Sequence, residues 1–143
     1  MGWIGWLKYI KGDPQFGGNV TVDGTLSVTG NLSAPQAPAA ITDPGTGAAI
    51  PVTGSGTVAI TTGGSSETNT VAIPTFLGQR LVLTLDVDGG GDRVITFASA
   101  INVAGNTIAT FGTARQTLVV EAIQIAGALA WEVTANNGSV ALS

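Results

Sequence analysis

Apolar residues of this chain recur at every second position, in short runs cut by glycine. Leu81, Leu83, Leu85 and Val87 share one face of an extended segment, because successive strand side chains point to opposite sides. Further runs of this type lie at 57–61, 70–73, 93–97, 107–111, 117–125, 129–134 and 139–142. Gly63-Gly64, Gly89-Gly90-Gly91, Gly105-Asn106, Gly127 and Asn137-Gly138 separate them and supply turn geometry. Residues 57–143 therefore read as one all-β domain, a compact antiparallel β-sandwich or barrel. Run 81–87 is expected to pair with 93–97 as a hairpin across the glycine run. Trp131, with Leu129 and Val133 on its face, is the expected core centre.

A narrower period precedes this domain. Gly18, Gly24 and Gly30 open near-copies of a hexad that place Val20 and Val22, then Leu26 and Val28, on one face, with Leu32 continuing the series. So short a repeat cannot bury its apolar face alone and needs stacked neighbours, at least about three units of them. Residues 17–33 are accordingly expected to form a short extended arm that meets other copies of the chain, an intersubunit collar. Run 117–125 points the same way. Leu118, Val120 and Ala122 fall on one face and Val119, Ile123 and Ile125 on the other, so the strand is either central in a sandwich or covered on its second face by another subunit. Val20, Val22, Leu26, Val28, Leu32, Val119, Ile123 and Ile125 are the expected contacts between copies.

The flanking segments read differently. Residues 1–16 hold Trp3, Ile4, Trp6, Leu7, Tyr9 and Ile10; aromatics this large favour docking over solvation, so the segment is expected to act as an anchor, on its own assembly or on another protein. Residues 34–56 carry Pro35, Pro38, Pro44 and Pro51 among Ala, Gly and Thr, which favours extended chain and a linker or surface arm.

Composition limits the chemistry. Of 143 residues 44% are hydrophobic and 10% charged, against roughly 25% charged in typical soluble domains, so partner subunits are expected to cover much of the surface. A net charge of −4 with scattered Lys8, Lys11, Arg80, Arg93 and Arg115 lacks the basic patch that nucleic acid requires. Residues 94–114 are free of charge but broken by Ser, Asn and Gly, which argues against a membrane span. The absence of histidine and cysteine removes the commonest general base and any thiolate metal site. No enzymatic activity and no cofactor are expected.

Three constellations retain some chemical interest. Asp86, Asp88 and Asp92 around the glycine run form a weak Ca²⁺ candidate, since that ion gathers six to eight oxygens; their spacing departs from the helix-loop-helix calcium motif, and a hairpin loop explains them. The glycine run has no following Lys-Ser or Lys-Thr and so lacks the context of a phosphate cradle. Glu67, Glu121 and Glu132 are paired-carboxylate candidates by residue type alone.

The string at 18–33, Gly-Asn-Val-Thr-Val-Asp-Gly-Thr-Leu-Ser-Val-Thr-Gly-Asn-Leu-Ser, resembles repeats of trimeric fibre and decoration proteins of tailed bacteriophages. The segments Arg93-Val-Ile-Thr-Phe, Ile101-Asn-Val-Ala-Gly-Asn-Thr and Trp131-Glu-Val-Thr-Ala-Asn-Asn-Gly are similar to small β domains of phage virion proteins. The resemblance implies a non-enzymatic virion structural protein and a homotrimer. It implies a capsid decoration, or cement, protein that clamps neighbouring capsid subunits, assembled in the host cytoplasm and displayed on the virion surface. The major capsid protein or another virion protein is then the partner, with Trp3, Ile4, Trp6, Leu7, Tyr9 and Ile10 docking on it. A short head or tail fibre or receptor-binding protein, anchored by its N-terminus, is the alternative. The brevity of the repeat favours cement.

Overall fold

The computed structural model describes residues 39–143. Ten strands follow one another: β1 (Ala39–Ile41), β2 (Ala49–Ile50), β3 (Gly56–Thr61), β4 (Glu67–Val71), β5 (Arg80–Val87), β6 (Arg93–Phe97), β7 (Ile108–Phe111), β8 (Thr117–Ile125), β9 (Ala128–Asn137) and β10 (Ala141–Leu142). They form two five-stranded sheets, A in the order β1-β3-β5-β8-β9 and B in the order β10-β7-β6-β4-β2. Alternation sets the layers. Val58 and Ile60, Leu81, Leu83 and Leu85, Ile95 and Phe97, Leu118 and Val120, and Trp131 point inward and form one buried core. The all-β expectation holds, and the architecture is a β-sandwich, not a closed barrel.

The pairing is mixed, where the sequence pattern had suggested antiparallel sheets. β1·β3, β3·β5, β2·β4 and β4·β6 are parallel. β5·β8, β8·β9, β6·β7 and β7·β10 are antiparallel. Parallel neighbours need a long crossover, usually a helix. Here each crossover is a strand of the opposite sheet, so β1–β2, β3–β4 and β5–β6 are three turns of a flattened coil. The antiparallel strands β7 to β10 complete both sheets.

The expected hairpin between 81–87 and 93–97 does not form: β5 lies in sheet A and β6 in sheet B. Both runs carry a core-facing apolar row, and each row is buried by facing the other sheet across the core, not by lying beside its neighbour. The glycines of 88–92 serve this crossing. The Gly91 N–H donates to Gly63 O at 2.9 Å and the Gly89 N–H to Thr62 Oγ1 at 3.1 Å, so the corner 88–92 stacks on the corner 62–66. A Cβ on Gly91 would lie 2.1 Å from Ser65 O, and one on Gly89 2.2 Å from Thr62 O. Gly91→Ala is expected to cost about 1–3 kcal/mol, as overpacking against backbone does. Urea denaturation checks this; an unchanged midpoint would mean that the corners do not stack.

The segment 34–56 is part of the sandwich from Ala39 onward, because β1 and β2 are edge strands of the two sheets. Run 117–125 is β8, with β5 and β9 as its neighbours. Against β9 it carries a register shift between Val119 and Val120. The residues read as anchor and collar, including Trp3, Ile4, Trp6, Leu7, Tyr9, Ile10, Val20, Val22, Leu26, Val28 and Leu32, lie outside the described residues.

Candidate functional site

The most concentrated polar chemistry of the described residues is buried and centres on Arg93. This residue opens β6 in the same parity as Ile95 and Phe97, so its side chain points into the core, where it is fully buried. Its Nη1 donates to Asn69 Oδ1. Its Nη2 donates to Asp43 Oδ2 at 3.0 Å and to Thr61 O at 2.6 Å, and meets Glu67 Oε2 at 2.9 Å. One guanidinium thereby joins all three coil turns: Asp43 follows β1, Thr61 and Glu67 belong to the second turn, and Arg93 to the third. Arg93 Nε has no hydrogen-bond partner among the described residues.

Both carboxylates also cap corners. Asp43 Oδ1 accepts from the Gly45 N–H at 3.0 Å and Oδ2 from the Thr61 N–H at 2.9 Å. Glu67 Oε1 accepts from the Gly63 N–H at 2.8 Å. Asn69 Nδ2 donates to Gly45 O at 2.7 Å and Ala48 O at 2.8 Å. At the other end of the sandwich Gln79 does the same work, its Nε2 donating to Val52 O at 2.8 Å and Gly54 O at 2.9 Å. Buried backbone groups must find partners, and in these corners side chains supply them. The cluster can hold charge and geometry. Its guanidinium is enclosed and carries no open face for a substrate.

The residues singled out for metal or acid chemistry are not gathered. Asp86, Asp88 and Asp92 are each exposed, and Asp88 Oδ1 accepts from the Gly90 N–H at 2.8 Å. No group of three or more metal-ligating side chains occurs among the described residues. Glu121 and Glu132 are direct cross-strand neighbours on the open face of sheet A, with Arg80 opposite Glu121 on β5. Glu67 is committed to Arg93. On the outer face of sheet B a shallow depression of about 290 Å³ is lined by Thr70, Thr96, Ala49 and Ala98 among others, with no charged side chain.

The expected contact residues of β8 do share a surface. Val119, Ile123 and Ile125 all point away from the core, onto the outer face of sheet A. In register across the sheet run Ala40, Thr57, Val82, Val119 and Ala135, then Ala59, Thr84, Thr117 and Asn137. Val119 is 6% exposed although it faces outward, and Ile125 is 52% exposed. Ile123 and Ile125 oppose Ala130 and Ala128 on β9. Among the described strands of sheet A, charge is confined to the row Arg80, Glu121 and Glu132 and to Asp86.

Arg93, Asn69 and Gln79 were not singled out from sequence. The signal was present in each case, a polar residue continuing an apolar parity: Arg93 with Ile95 and Phe97, Asn69 with Val71, Gln79 with Leu81 and Leu83. No protein-family model matches the chain, and no curated protein matches it.

Proposed function

We propose that the chain is a non-enzymatic structural protein of a virion. In this reading it is a homotrimeric decoration protein whose sandwich associates with its copies through the outer face of sheet A. The observation that carries the proposal is that face. A solvated sheet face is ordinarily filled with polar and charged residues, whereas here one registered row of Ala, Thr and Val crosses all five strands and a second, of Ala, Thr and Asn, crosses four, both without charge. A face of this kind suits burial against another copy, which removes apolar area from water at about 25 cal/mol per Å². The low overall charge of the chain supports the same reading. The resemblance of residues 18–33 to repeats of trimeric phage proteins supports the class of particle.

Mass spectrometry of purified virions tests the assignment. The chain is expected among the structural proteins, and capsid particles assembled without it are expected to bind it back on co-sedimentation. Its absence from virions, or particles that do not take it up, would contradict the proposal.

A further inference from the structure

The two ends of the described sandwich differ in chemistry. Connections 51–55, 72–79, 98–107 and 126–127 gather at one pole, because β2, β4, β6 and β8 end there while β3, β5, β7 and β9 begin there. None of these connections contains Asp, Glu, Lys or Arg. They carry most of the exposed large apolar side chains: Ile73 at 55%, Phe76 at 45%, Leu77 at 65% and Val103 at 100% exposure, with Ile125 at 52% on the end of β8. The loops are also tied to the strands around them. The Gly78 N–H donates to Ala122 O at 2.9 Å, the Ala98 N–H to Val71 O at 2.9 Å and the Val133 N–H to Ile101 O at 2.8 Å. The opposite pole is acidic, holding Asp43, Glu67, Asp86, Asp88 and Asp92 against buried Arg93 and exposed Arg115.

We infer that the charge-free pole is a self-association surface, on which two copies meet pole to pole. Two arguments select a second copy as the occupant. The first is charge: the chain is net acidic at −4, so copies repel unless their acidic groups are kept apart. Pole-to-pole contact joins the ends whose connections carry no charge, with exposed Arg80 at the start of β5, and places the two acidic ends at the far extremes of the pair. The second is area. The four loop side chains Ile73, Phe76, Leu77 and Val103 expose on the order of 400 Å² of apolar surface per copy, about half of the ~800 Å² per partner of a standard interface, and the polar atoms of the same loops supply the rim. A self-complementary patch closes as a twofold pair. A net-acidic protein is also repelled by anionic lipid, which weighs against a membrane as the occupant.

Sedimentation velocity of the full chain over a range of concentrations tests this. The mass of the smallest species is expected to double as concentration rises. Val103→Asp, at a fully exposed position where the core is untouched, and the pair Phe76→Asp with Leu77→Asp are each expected to weaken doubling by about 30-fold or more. Thr113→Asp adds the same charge at the opposite pole and is expected to leave doubling intact. Doubling that survives in Val103→Asp, or is lost equally in Thr113→Asp, would overturn the proposal, as would a wild-type mass that never doubles. Flotation with phosphatidylcholine vesicles in place of doubling would reassign the pole to lipid and overturn it too. Whether the unit that doubles is one chain or three tests the trimer separately, so the two readings fail independently.

Discussion

Arg93→Ala is expected to destabilise the sandwich by about 3–5 kcal/mol, the range for removing one partner from a buried ion pair. In a domain of this size that corresponds to a fall in melting temperature of at least about 12 °C. Among the described residues, the substitution removes the one cation facing Asp43 and Glu67, whose side chains are 17% and 20% exposed. It also withdraws donors from Asn69 Oδ1 and Thr61 O. The loss falls on the contact between all three coil turns, so the register of β1 and β2 is the first structure affected. Arg93→Met combined with Asp43→Asn and Glu67→Gln is expected to recover part of the loss, because no charge is then left without its partner. Thermal and urea unfolding, followed by far-ultraviolet circular dichroism, read both effects. A loss below about 1 kcal/mol for Arg93→Ala would place the ion cluster outside the stabilising core.

Trp131→Ala is expected to cost about 3–5 kcal/mol. The indole is 1% exposed and lies in the core between the sheets. Its Nε1–H donates to Ala72 O at 2.8 Å, tying β9 of sheet A to the residue that follows β4 of sheet B. Trp131→Phe keeps most of the apolar volume and gives up this hydrogen bond, leaving Ala72 O without that donor. Its expected cost is smaller, about 1–3 kcal/mol. Denaturant midpoints separate the two. Equal costs would show that the hydrogen bond, and not the filled volume, dominates the contribution of Trp131.

What the sequence revealed follows from the information that alternation carries. Period two tells which residues share a face, so β3, β5, β6, β7 and β8 and the inward setting of Trp131 were legible. It does not tell which strand lies alongside. The mixed pairing and the coil of β1 to β6 depend on contacts between distant segments, such as Gly56 with Leu81 and Glu67 with Arg93. β1 and β2 are three and two residues long, set among Pro, Gly and Ala, and are held in place by the second turn. β4 begins at Glu67, ahead of the apolar run expected at 70–73, because Glu67 and Asn69 are fixed by Arg93 and the corners. Gly89-Gly90-Gly91 was read by its commonest use, a tight turn. Its actual use, room for one backbone corner to lie on another, depends on a segment more than twenty residues earlier. The surface residues Val119, Ile123 and Ile125 fell on one outer face as alternation requires. The Arg93 cluster was overlooked because charged residues are seldom fully buried, although its parity with Ile95 and Phe97 marked it.

The central claim is that the sandwich is an assembly module whose outer sheet A face meets copies of the same chain. Sedimentation equilibrium of the purified full chain at low concentration tests it most directly. The account predicts a species of three times the 14.2 kDa chain mass, reduced to the single-chain mass by Ile123→Asp in β8 while the circular dichroism spectrum stays that of a folded β protein. A wild-type species at 14.2 kDa, or a trimer unaffected by Ile123→Asp, would contradict it.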